Sequence, residues 1–146
     1  MIESGNWMIA ETEDENNKKK IFARNYPVRH PGAIKGQELN AFMQLECVSE
    51  SVALLSIMAD KPINKGFDPI ISFDNGGKFQ LSTPFNYSSP ELGMGAFFVD
   101  NQEFVKEMLK RSFISIDVLT ENTDVEEYTY ILDSDGFLYN NLSCLN

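Results

Sequence analysis

The sequence predicts a mainly β fold. Residues 1–146 are expected to form a single-domain antiparallel β-sandwich or small barrel, with one clear helix at about 101–111 and a short C-terminal helix. Three observations point there. Short runs alternate apolar and polar residues with period two, as half-buried strands do. Asp74-Asn75-Gly76-Gly77 stands between two apolar runs, and Asn-Gly suits a hairpin turn because such turns need positive φ. Eight or nine such short strands, separated by turn-forming clusters, suit a sandwich or barrel.

The first strand is expected at residues 6–11, with Trp7 as a core anchor at the sandwich edge. Residues 11–20 run from acids to lysines and read as a polar hairpin loop into a strand at 21–24. Residues 25–39 hold two prolines and two glycines and read as a long loop. In 42–48, Met43, Leu45 and Cys47 share one apolar face while Phe42, Gln44, Glu46 and Val48 take the other. Residues 52–58 are more continuously apolar and suit a covered strand. Strands at 70–73 and 78–82 flank the Asn-Gly turn, and another is expected at 96–99.

Asp100 is the expected cap of the helix, with Glu103 three residues on completing a capping-box-like pair. Phe104, Met108 and Leu109 form its apolar face, and Lys106, Lys110 and Arg111 suit the dipole near its end. Residues 113–119 alternate again, and a strand at 127–132 follows an acidic turn. Asp133 is the expected cap of the closing helix, which carries Phe137, Leu138, Leu142 and Cys144.

The formal charge of −10 is unevenly spread. Residues 1–35 hold six Lys/Arg against five acids, whereas 36–146 hold six against 17. A negative field of this kind repels nucleic-acid phosphates and anionic lipid headgroups, and favours a cationic partner or simple solubility. Apolar content of 42% and charged content of 23% are ordinary for globular proteins. No apolar run approaches the ~20 residues of a membrane helix, so no membrane insertion is expected.

Catalytic signatures do not emerge. His30, the only histidine, lies in the loop Arg29-His30-Pro31-Gly32 with no nucleophile placed beside it. One histidine and two cysteines are too few for a zinc site. Asp133-Ser134-Asp135-Gly136 opens like a calcium loop, but Leu142 stands where the closing Glu is needed. We therefore expect no enzyme activity, no metal and no cofactor. Cys47 and Cys144 admit two readings. A disulfide closing a loop of this length is worth about 4.7 kcal/mol and implies an oxidising compartment. Two buried free thiols would suit the cytosol. The N-terminus lacks the basic and apolar regions of a signal peptide, so the chain is either cytosolic or a mature form without its export signal.

Several short motifs resemble a group of Gram-negative envelope proteins. Gly5-Asn6-Trp7, Leu45-Glu46-Cys47, Phe73-Asp74 with Gly76 and Gly77, the run 104–109, and Gly136 through Cys144 follow in that order. This layout resembles the type VI secretion-associated VasI/TagO-like family and, more loosely, invasion-associated locus B proteins. Ser72 stands where the former usually has Arg, and the strand after the hairpin lacks its Trp. The resemblance implies a β-sandwich, export to the periplasm, a Cys47–Cys144 bond and no catalytic residues.

The expected function is accordingly a non-catalytic protein-binding module of the bacterial envelope, a secretion-associated accessory or inhibitor protein. Glu121, Asp124, Glu126, Glu127, Asp133 and Asp135 place six carboxylates within fifteen residues and are the candidate binding residues for a basic protein. The rival is a cytosolic, phage-encoded inhibitor whose acidic surface imitates DNA to block a nucleic-acid-binding protein. A hydrolase built on an unrecognised carboxylate pair is a third, weaker reading. In none of these does the chain itself bind nucleic acid.

Overall fold

The computed structural model describes residues 2–4, 6–28, 41–59, 63–64, 69–74, 76–80, 96–99, 101–132 and 136–146. Ten strands appear among them: β1 (Ile2–Ser4), β2 (Trp7–Glu13), β3 (Lys19–Asn25), β4 (Phe42–Cys47), β5 (Ala53–Met58), β6 (Ile70–Phe73), β7 (Lys78–Gln80), β8 (Ala96–Val99), β9 (Phe113–Leu119) and β10 (Val125–Ile131). Helix α1 (Gln102–Leu109) joins β8 to β9, and α2 (Phe137–Asn141) leads into a 3-10 turn, Ser143–Leu145.

The strands form two sheets. One has the order β1-β2-β3-β4-β5-β8, the other β10-β9-β6-β7, and every pairing is antiparallel. The sheets are not closed on each other, so of the two expected architectures the sandwich holds and the barrel does not. A single cluster of buried side chains lies between them. Trp7, Met43, Leu45, Leu55 and Ile57 enter from the first sheet, and Ile71, Ile114, Ile116, Val118, Tyr128 and Tyr130 from the second. Period-two alternation produces this: β5 and β9 bury every second residue. Full burial of a Leu, Ile or Met side chain contributes roughly 1.5–3 kcal/mol.

The sheets are stitched at one corner. Trp7, 1% exposed, donates its indole N–H to the Leu132 carbonyl at 3.0 Å. Asn25 donates its Nδ2–H to Ile131 O at 2.7 Å. Beyond β3 the chain turns alongside β10, where the Val28 N–H donates to Thr129 O at 2.7 Å.

Several boundaries differ from expectation for identifiable reasons. The polar loop after the first strand is shorter than its composition suggests, because Glu13 pairs with Lys19 and Thr12 with Lys20; opposite charges across a ladder stabilise it. The turn that remains is fastened by Asp14 Oδ1, which accepts from the N–H groups of Asn16 and Lys18. The cap of α1 is Asn101, whose Oδ1 accepts from the Phe104 N–H at 3.1 Å, not Asp100, and the helix spans 102–109. Residue 100 lies outside the described residues. The N-cap of α2 is Gly136, at φ +81°, a backbone conformation that suits glycine; Asp133, expected there, lies outside the described residues. Strand β1 was not expected at all.

Candidate protein-binding surface

The C-terminus is fixed where the family resemblance implies. Cys47 at the end of β4 and Cys144 in the closing 3-10 turn form a disulfide with a Cα–Cα distance of 5.6 Å. Leu138, Leu142 and Cys144 join the core cluster beside it. The described residues contain no free cysteine.

The acidic candidates gather around the β9–β10 hairpin. Its turn is closed by the Thr120 N–H donating to Asp124 O at 2.8 Å and the Thr123 N–H donating to Thr120 O at 3.0 Å. Thr123 takes φ +65°, and the Asp124 N–H donates to the Thr120 hydroxyl. Glu121 and Asp124 therefore lie exposed in the turn. Because Val125 pairs with Leu119 and Glu126 with Val118, β10 begins two residues earlier than the sequence suggests.

Strand alternation then separates two residues that sequence reasoning treated together. Glu127 is exposed on the outer face of the four-stranded sheet. Glu126 shares its face with buried Val118, is half-buried, and is already engaged within the molecule. Asp133 and Asp135 lie outside the described residues. The hairpin thus brings together Glu121, Asp124 and Glu127, and turns Glu126 away from them.

Three residues complete that outer face and were not singled out from the sequence. Asp117 lies directly opposite Glu127 on one side and opposite Ile70 on the other. One Asp117 carboxylate oxygen is shielded from solvent without a hydrogen-bond partner. Ile70 is 42% exposed and Val125 66%. The face therefore presents two bare aliphatic side chains among carboxylates. Facing acids across a ladder destabilise it. A cation from outside the chain would relieve that repulsion. Register was the missed signal, since only the pairing of 113–119 with 125–131 sets Asp117 against Glu127.

Other features offer less chemistry. One surface pocket of about 270 Å³ is lined by Phe73, Asn101, Glu103, Phe104 and Glu107. Another, of about 210 Å³, lies beside the disulfide between Lys19, Lys20 and Asn141. Among the described residues no three His, Cys, Asp or Glu side chains are grouped to hold a metal. His30 lies outside them. No helix among them is long and apolar enough to cross a membrane.

No protein-family model and no curated protein matches the sequence. The fold is matched by the crystal structure of invasion associated protein B from Bartonella henselae, with a TM-score of 0.66 and 14% identity over 95% of this chain and 91% of that one. The likeness is one of fold. It agrees with the looser of the two resemblances read from the motifs, while the type VI secretion-associated family finds no support in these sequence comparisons.

Proposed function

We propose that this chain is a non-catalytic protein-binding module of the bacterial cell envelope, a secretion-associated accessory or inhibitor protein that takes a basic protein partner. One observation carries the reading: the facing acids Asp117 and Glu127, next to exposed Ile70 and Val125, on the outer face of the four-stranded sheet. Exposed apolar side chains within a charged rim are the usual composition of a protein interface. The Cys47–Cys144 disulfide supports an oxidising compartment over the cytosolic, DNA-imitating alternative. The fold likeness to an invasion-associated protein supports an envelope setting. Type VI secretion is the system we assign, from the order of the sequence motifs.

The test is photo-crosslinking in the envelope of the native host. A photoreactive amino acid at position 125 should trap a discrete protein, and one at exposed Tyr139 should not trap it. Equal trapping from both positions, or none from position 125, would reject this face as the interface.

A further inference from the structure

The outer face of the six-stranded sheet carries a feature of opposite sign. Ala23 and Asn25 of β3 point into the core, so Lys20, Phe22 and Arg24 point outward. Arg24 lies over two rings, its guanidinium carbon 4.0 Å from the centroid of Phe42 and 5.2 Å from that of Phe22. Tyr26, 40% exposed, meets Phe42 edge-on at 6.4 Å. Gln44, opposite Arg24 on β4, accepts from both Nε and Nη2 at 3.1 and 2.7 Å. The side chain is therefore fixed before anything binds.

Among the described residues its charge is not neutralised. A guanidinium has five N–H donors, and the two bonds to Gln44 leave three of them. Among the described residues no carboxylate forms an ion pair with Arg24, although the chain has 22 acids. Glu46, opposite Phe22 and so diagonal to Arg24, makes none. Half-buried Met8 flanks Arg24 on β2, and Leu54 and Met58 continue the face on β5. A half-buried, immobilised guanidinium beside apolar side chains can receive a carboxylate, since its planar fork matches that group and little side-chain entropy remains to be lost.

We propose that this face is a second docking surface, and that it takes an acidic segment of another protein whose carboxylate meets Arg24 while its apolar neighbours cover Met8, Leu54 and Met58. A protein segment fits better than a nucleic acid. Bases need open ring faces, and the Phe22 and Phe42 rings already carry the guanidinium. The inference does not rest on the acidic face and stands if that interface fails.

The experiment titrates full-length, disulfide-bonded, isotope-labelled protein with the acetylated, amidated peptide Leu-Glu-Leu-Glu-Leu, following the Arg24 Nε–H and the backbone amides of β3 and β4 by NMR. The expected result is saturable shifts at Phe22, Arg24 and Phe42. Replacing both peptide Glu by Gln weakens binding at least about tenfold, as does Arg24→Gln in the protein, the scale of one charge-assisted contact. Arg24→Lys, which keeps the charge but loses the fork, also binds more weakly than the wild type. The peptide comparison uses the wild-type protein and holds even if an Arg24 variant misfolds. Absence of saturable shifts at millimolar peptide, shifts confined to Lys18–Lys20, or equal binding of the Gln peptide would overturn the proposal. So would an oligothymidine that shifts the Arg24 signals where the peptide does not.

Discussion

The indole N–H of Trp7 and the carbonyl oxygen of Leu132 meet at 3.0 Å across 125 residues of chain, tying the start of one sheet to the end of the other. Trp7 is 1% exposed, so this bond and the ring's packing act together. Trp7→Phe leaves the Leu132 carbonyl buried without that donor and removes part of the packed volume. It should lower unfolding stability by about 2–4 kcal/mol. Urea unfolding followed by circular dichroism measures this, and a loss under about 1 kcal/mol would mean the corner is not a stabilising contact.

The disulfide gives a second expectation. Cys47 and Cys144 lie 97 residues apart. Replacing both by Ala should cost on the order of 4 kcal/mol in the chain-entropy account, because the unfolded chain regains a long loop. Peptide mapping without reduction should recover the two cysteines in one linked fragment. Two alkylated cysteines in protein expressed in an oxidising compartment would contradict the arrangement.

Helix α1 tests the capping assignment. Asn101 Oδ1 accepts from the Phe104 N–H, so Asn101→Ala should lose about 1 kcal/mol of stability. Asn101→Asp should retain most of it, because a carboxylate caps as well and suits the positive helix end. Equal loss in both variants would show that the side chain does something other than cap.

Most of this fold was legible, and the reasons are local. The alternation at 42–48 and 113–119 and the apolar run at 52–58 revealed strands because one face of each meets a continuous core. Asn-Gly marked the β6–β7 hairpin, where Gly76 takes φ +83° and the Phe73 N–H donates to Gly77 O. What failed was long-range or decided by pairing. Glu11–Glu13 look like loop residues until Lys19–Ile21 pair with them. Glu126 and Glu127 look equivalent until the ladder sends them to opposite faces.

The same limit applied to the surfaces. Six clustered carboxylates were visible in the sequence, but Asp117, Ile70 and Val125 join Glu127 only through the β6-β9-β10 register. The Lys20, Phe22, Arg24 row had a signal, alternation at period two. It was obscured because the strand was expected to begin at residue 21, within what is in fact Lys19–Asn25.

The outer face of the four-stranded sheet is the surface proposed to bind a basic protein. The most direct measurement is the association rate of the crosslinked partner, once purified, with the wild type and with Glu121→Gln/Glu127→Gln, at low and physiological salt. Steered association weakens as the Debye length falls to about 8 Å. Slower association is expected for the double variant at low salt, with convergence of the two proteins as salt rises and dissociation rates little changed. Identical association rates at low salt would contradict it.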